Sequence, residues 1–263
     1  MHTLLAVALL LSGGGFPGAT FGGTGVQGAS VNYVAVPHTV QVVRRETGEV
    51  NRWRRLKRAY GVPVAAFDGS VTGLSADERT LVLSEVSNDS PPRRSRIVVL
   101  NPFDLRPRTS LSLPGVYTVH ALSPDGRFIY LIRYTAPIRD IDRHELTVYD
   151  FEHPGAPEPI ERATGTPLSR VEDGDVVYTL YGPNEPFVRV LDTAKRTVKR
   201  IPLPGLLPAH VTGMRLSLAR DRLATHVSLV SPLPRPILAA CGPAMRIGRG
   251  CSQSWASTTS PVG

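Results

Sequence analysis

The segment Asn51-Arg52-Trp53-Arg54-Arg55-Leu56-Lys57-Arg58-Ala59-Tyr60 interleaves cations with two aromatic rings. Cations hold phosphates and aromatic rings stack on bases, so Arg52, Trp53, Arg54 and Arg55 are the first candidates for a binding surface. The competing expectation is an outermost edge strand whose charges block edge-to-edge aggregation. Trp53, Leu56 and Tyr60 also fall at helical spacing, which leaves the secondary structure of this segment open. His120 is a second candidate, as a ligand-facing ring, against the commoner role of a packed, hydrogen-bonded histidine. Asp140, Asp142, His144 and Glu145 share the polar stretch Ala136–Glu145 and offer cation ligands. Their alternation lacks the Gly and terminal Glu of a Ca²⁺ loop, so a solvated hairpin tip is expected there.

Other chemistry is absent from the sequence or incomplete. Cys241 and Cys251 are followed by no further Cys or His to complete a zinc set, so a loop disulfide or two idle thiols is expected. Gly13, Gly15 and Gly18 satisfy G-x-G-x-x-G, yet no strand precedes them and no βαβ unit surrounds them. No G-x-S-x-G, H-E-x-x-H, Cys-x-x-Cys or P-loop occurs. No residue is therefore assigned to catalysis, to a cofactor or to a metal. Asn88-Asp89-Ser90 has the form of a glycosylation sequon.

The chain of 263 residues is 41% hydrophobic and 20% charged, with 24 Gly and 24 Pro, which excludes a collagen, a coiled coil and a wholly disordered chain. No apolar run approaches the ~20 residues that span a bilayer. Thirty Lys and Arg face 22 Asp and Glu, and the excess concentrates between Arg44 and Arg58, where only Glu46 and Glu49 are acidic. A basic balance alone is weak support for a nucleic-acid partner, and that partner is disfavoured. No charged side chain precedes Arg44, and the apolar run Leu4–Leu11 followed by Gly- and Ala-rich sequence has the form of a secretory h-region. Gly18-Ala19-Thr20 and Gly28-Ala29-Ser30 are its loose small-residue cleavage sites. From Arg222 onward no acidic residue occurs, and the stretch from Ser231 is Ser-, Thr-, Pro-, Gly- and Ala-rich, which predicts a disordered tail over 231–263 and an ordered core over 32–230.

An internal repeat positions the candidates. Leu74-Ser75-Ala76-Asp77-Glu78-Arg79 and Leu122-Ser123-Pro124-Asp125-Gly126-Arg127 align at an offset of 48, and Asp173 and Asp221 continue the phase. The later half of each unit reads Arg96-Ile97-Val98-Val99-Leu100-Asn101, Leu146-Thr147-Val148-Tyr149-Asp150 and Val188-Arg189-Val190-Leu191-Asp192, with Thr39–Val43 as an earlier copy. Each unit offers four short β-rich runs, in the second copy Val119–Leu122, Phe128–Arg133, Glu145–Phe151 and Glu158–Glu161. Asp125-Gly126 and Asp173-Gly174 read as type I′ hairpin dipeptides, so the phased Asp is turn chemistry rather than catalysis. Phe128-Ile129-Tyr130-Leu131-Ile132 is apolar on both faces, which demands a sheet covered on both sides. The architecture expected is an all-β propeller of four-stranded antiparallel blades, and His120 falls on an innermost strand, facing the central channel.

The phrase Ala121-Leu122-Ser123-Pro124-Asp125-Gly126-Arg127-Phe128-Ile129-Tyr130 resembles TolB-like and YVTN-type propeller repeats, and the resemblance runs from about Asn32 to Val230. Glu78 departs from it, standing where Gly is expected, and the fourth copy lacks that Gly and breaks off near Val230. Three complete units are expected at Val64–Gly115, Val116–Gly165 and Thr166–Gly205, with part-units on either side. The chain then is a fragment of a larger ring, the favoured reading, or closes a four-bladed ring by pairing Leu206–Val230 with Asn32–Gly61. An unclosed ring would self-associate. The resemblance implies a non-catalytic extracytoplasmic scaffold for an unknown protein or small ligand. An accessory propeller domain of a hydrolase or quinoprotein-type dehydrogenase, or a weak binder of anionic surfaces through residues 44–58, are the alternatives.

Overall fold

In the computed structural model, which describes residues 19–20, 25–86, 93–135, 143–183, 185–206, 211 and 214–218, the strands form four antiparallel sheets in chain order. Blade 1 contains β2 (Val26–Gln27), β3 (Val31–Val36), β4 (Thr39–Arg44) and β5 (Val50–Arg55). Blade 2 contains β6 (Tyr60–Pro63), β7 (Leu81–Glu85), β8 (Arg94–Leu100) and β9 (Pro107–Pro114), and β1 (Ala19–Thr20) adds to its inner edge beside β6. Blade 3 contains β10 (Val116–Leu122), β11 (Phe128–Tyr134), β12 (Arg143–Asp150) and β13 (Glu158–Thr164). Blade 4 contains β14 (Thr166–Asp173), β15 (Val176–Gly182), β16 (Phe187–Asp192) and β17 (Thr197–Pro202). The chain is a four-bladed β-propeller.

Period-2 alternation explains why these runs stack as blades. Leu81 and Leu83 of β7 pack with Tyr33, Ala35, Val40 and Val42 of blade 1, while Val82 between them packs with Ile129 and Leu131 of blade 3. The next strand repeats the pattern, with Tyr130 and Ile132 of β11 turned toward Val177 and Leu191 of blade 4. Blade 4 has its far face covered by Val211 and Met214. The far face of blade 1 differs: Val34, Val36 and Val43 are only half-buried.

Two expected boundaries change. The part-unit before Gly61 is a complete blade, because β2 lies ahead of Asn32 and supplies the inner strand, as Val26 pairs with Tyr33. That blade is thus not completed by Leu206–Val230, most of which lies outside the described residues, as does the tail 231–263. The segment around Trp53 is strand, not helix.

The repeat's turns share one hydrogen-bond pattern. Asp125 Oδ1 accepts from Ser123 Oγ (2.6 Å) and Arg127 N (3.0 Å), and Ser123 Oγ accepts from Phe128 N (2.8 Å). In blade 2, Asp77 Oδ1 accepts from Ser75 Oγ (2.6 Å) and Arg79 N (3.0 Å), and Ser75 Oγ accepts from Thr80 N (3.0 Å). These are not type I′ hairpins. Gly126 N donates to Ser123 O, and only the fourth residue takes positive φ, +70° at Gly126 and +53° at Glu78. The turn is therefore of type I with a left-handed residue after it, where Pro124 suits the second position. At Asp173-Gly174 the loop is two residues, Gly174 and Asp175, with positive φ at Gly174 alone. Consecutive turns also touch, since Asp77 N donates to Pro124 O (3.0 Å) and a Cβ on Gly126 would stand 2.2 Å from Thr80 Oγ1.

A second periodic feature lies on the inner strands. The β10–β11 register slips at His120 and the β14–β15 register slips at Leu168, 48 residues apart. Forty-eight residues earlier the inner strand of blade 2 opens into a longer excursion: β6 leaves the β7 ladder after Gly61, and pairing resumes at Leu74–Leu81, with Val64 and Val71 bridged between. The tip crosses to blade 4, where Phe67 N and Asp68 N donate to Pro167 O (2.9 Å) and Leu168 O (3.0 Å), and Arg170 N donates to Asp68 Oδ2 (3.3 Å).

Gly126→Val is expected to lower stability by more than about 2 kcal/mol, since it adds left-handed strain at a β-branched residue to an overlap with Thr80. Glu78→Gly is expected to stay within about 1 kcal/mol of the parent, because relief of its positive φ offsets the lost hydrogen bond from Ala29 N to its carboxylate. Denaturant midpoints compare them, and equal losses would overturn this account of the turns.

Candidate functional site

His120 does not face an open channel. As the extra residue of the β10 bulge it is turned between blades 3 and 4 and is fully buried, with Nε2 3.3 Å from Thr179 Oγ1. Burial first, then the charges of Arg170 and Arg189 and the nearby His144, hold its pKa well below the ordinary histidine value. His144 and Glu145, expected in a solvated loop tip, are buried residues of β12; Asp140 and Asp142 lie outside the described residues.

These histidines belong to a polar seam that the sequence reading missed. Arg189 of β16 is completely buried, with Nη1 donating to Tyr181 Oη (2.6 Å) and Nη2 to His144 Nε2 (2.9 Å). A guanidinium only donates, so His144 carries its proton on Nδ1. Arg189 Nε lies 2.7 Å from Glu161 Oε2 of β13, in a close but bent ion pair. Its guanidinium also sits 4.4 Å from the Tyr181 ring centroid, and Tyr181 stacks with His144 at 5.1 Å and Phe187 at 5.0 Å. A cleft of about 500 Å³ bounded by Arg143, His144, Glu145, Arg162 and Arg200 opens beside the seam. Its carboxylate Glu145 is held by Arg162 (2.8 Å) and Arg133 (3.4 Å). The one signal in the sequence was Arg189 itself, a charge inside an otherwise apolar strand run.

Among the described residues Asp150, Glu152 and His153 bring ligand atoms within 4.8 Å of one another. Arg127 already occupies their focus: it binds Asp150 at 3.1 and 2.8 Å, Glu152 at 2.7 Å and His153 Nδ1 at 3.3 Å. The guanidinium first, with His153, holds the Asp150 carboxyl well below the usual carboxylate range. This cluster is an ion-pair network around a cation the chain itself supplies. Asn88-Asp89-Ser90, Cys241, Cys251, Gly13, Gly15 and Gly18 lie outside the described residues.

The structure brings Arg52, Trp53, Arg54 and Arg55 together on β5, which among the described residues pairs only with β4 and forms the outer edge of blade 1. Arg52 and Arg54 stand opposite Val42 and Val40 on one face, and Trp53 and Arg55 opposite Gln41 and Thr39 on the other. Trp53 is 66% exposed. Neighbouring cations are engaged: Arg58 with Glu85 (3.2 Å), Arg45 with the carbonyls of Gly28 and Ala29, and Arg44 with Glu49. Arg52, Arg54, Arg55 and Lys57 have no acidic partner among the described residues. A shallow concavity of about 480 Å³ lined by His38, Arg55, Leu56 and Lys57 continues the strand's end.

No protein-family model matches the chain, and no curated protein does. Among solved structures it is similar to Kuenenia stuttgartiensis hydrazine synthase, at 14% identity and a TM-score of 0.42, covering 66% of this chain and 46% of that one. It is also similar to TolB from Acinetobacter baumannii, at 13% identity and a TM-score of 0.36, covering 66% of this chain and 40% of that one. The chain spans less than half the length of either. Among the described residues no helix is long and apolar enough to cross a membrane.

Because the His120 pKa is depressed in the folded state, the unfolded chain binds more protons below about pH 6.5. Its contribution is therefore fully present above that pH and falls as the solution is acidified toward the folded value. Denaturant midpoints should decline between about pH 6.5 and 5, and His120→Gln, which cannot titrate, should give a shallower decline. Parallel profiles would overturn the assignment.

Proposed function

We propose that the chain is a non-catalytic, extracytoplasmic propeller scaffold that binds a protein or small ligand through the basic edge of blade 1. The observation that carries this reading is a contrast in commitment. Elsewhere ionisable groups are spent on one another, in the interior Arg189 on Glu161, Tyr181 and His144, and at the surface Arg127 on Asp150, Glu152 and His153. The cations of β5 are spent on nothing among the described residues, and they flank the exposed Trp53. A site needs polar groups whose partners are still to arrive, and β5 holds them. The neighbouring strand β4 anchors it through Val40 and Val42, both buried and paired with Arg54 and Arg52.

Retention on immobilised poly-glutamate at low salt tests the contact surface. The triple variant Arg52→Gln, Arg54→Gln, Arg55→Gln should elute at clearly lower salt than the parent, with its unfolding free energy changed by no more than about 1 kcal/mol, since Arg52 and Arg55 are exposed and Arg54 is half-buried. Unchanged elution would remove β5 from the proposal.

The extracytoplasmic reading rests on the Leu4–Leu11 run and makes a demand on processing. Gly28–Ser30 is the turn joining β2 to β3, with Gly28 N bonded to Val31 O (2.8 Å) and Arg45 reaching the Gly28 and Ala29 carbonyls, so a cut there would remove the inner strand of blade 1. A secreted product should carry an N-terminus no later than Phe21, leaving β2 in place. Mass spectrometry of the exported chain decides it, and an N-terminus at Val31 would contradict the reading.

A further inference from the structure

The chemistry of β5 narrows the partner further, given the scaffold reading above. Leu56 N donates to His38 O (2.7 Å), which makes His38 and Leu56 a hydrogen-bonded pair. In an antiparallel ladder such pairs alternate, so Arg54 opposite Val40 and Arg52 opposite Val42 direct their backbone groups inward to β4. The N–H and C=O groups of Trp53 and Arg55 therefore point outward from the sheet. The edge presents an open backbone ladder with Arg52 and Arg54 on one face and Trp53 and Arg55 on the other.

We infer that β5 takes up an extended acidic peptide segment of another protein as an added strand. A peptide backbone matches the outward groups of Trp53 and Arg55 at ladder spacing, whereas a nucleic-acid backbone offers no donor series to answer their carbonyls. Alternation within the incoming strand would set carboxylates beside Arg52 and Arg54 on one face and apolar side chains beside Trp53 on the other. The chain's own ends lack the required charge, since no Asp or Glu precedes Arg44 or follows Asp221. A second copy is a poor occupant for the same reason, because two β5 edges would set arginine against arginine.

The probe is a capped seven-residue peptide of alternating Glu and Val, measured by calorimetry against the full chain at low salt. The comparisons are the same peptide N-methylated at every second residue, a Lys-for-Glu version and an oligothymidylate of equal charge. The Glu–Val peptide should bind, and the triple Gln variant should weaken it about tenfold, through the lost ion pairs of Arg52 and Arg54 and the reduced positive charge of the edge at Arg55. N-methylation, which keeps the charges and removes ladder donors, should weaken it at least about tenfold as well. Binding of the N-methylated peptide as tight as the parent would overturn strand addition while leaving a charged scaffold surface standing. Tighter binding of the oligothymidylate, or dimerisation of the chain in place of peptide uptake, would overturn the choice of partner. If the triple Gln variant binds every probe like the parent, the scaffold reading fails with it.

Discussion

The contact between consecutive turns sets the geometry on which the other blade contacts depend. Asp77 N reaches Pro124 O while Thr80 fills the space a side chain at Gly126 would need. Each turn is stiffened internally by the same Ser–Asp pair, whose hydroxyl and carboxylate answer backbone N–H groups that the ladder leaves unpaired. Hydrogen bonding to Ser123 first, and to the Arg127 amide, holds the Asp125 carboxyl below its ordinary value, as expected for a carboxylate serving as an acceptor. With the turns docked, β7 and β11 are placed so that Val82 meets Ile129 and Leu131. The apolar interfaces then follow from alternation alone.

Much of this was legible because it repeats. A 48-residue offset marks a structural unit, and strands apolar on both faces, such as Phe128–Ile132, have few homes other than between two blades. Blade limits came within a few residues for the same reason. What escaped was local. Type I′ turns are expected from the Asp-Gly dipeptide, but at Asp77 and Asp125 the serine hydroxyl two residues earlier favours the longer turn, and Pro124 settles it in blade 3 by its fixed φ, while at Asp173 the two-residue loop takes positive φ at Gly174 alone. The strand β2 escaped because Val26-Gln27 is too short to show a period.

The candidate site was legible in part, and the division has a physical basis. Exposed charge is written directly in sequence, so the basic run Arg52, Arg54 and Arg55 stands out there, and its place on an edge strand agrees with the edge reading of the same charges. Burial of charge is a tertiary fact. The apolar run around Arg189 hints at its burial, but its partners are not local, since His144 lies 45 residues away and Glu161 sits on the neighbouring blade. His120 was located on the right strand, but its direction depends on a bulge, and a bulge is a register event between two strands.

The bulges and the blade 2 excursion share one phase, Thr72, His120 and Leu168, and this makes them variants of a single device. An innermost strand has one edge paired and one edge open toward the axis, and an open edge invites unwanted pairing. Blade 3 breaks its edge with a bulge and buries the displaced residue, His120, against blade 4. Blade 2 enlarges the same break into a hairpin that carries its own backbone donors to the Pro167 and Leu168 carbonyls of blade 4. The inner strands of blades 2 and 3 are thus engaged within the fold, while β5 at the outside of blade 1 keeps its ladder open and guards it with charge. Charge repels copies of itself and attracts its opposite, so the guard that prevents self-pairing is also what selects an acidic strand.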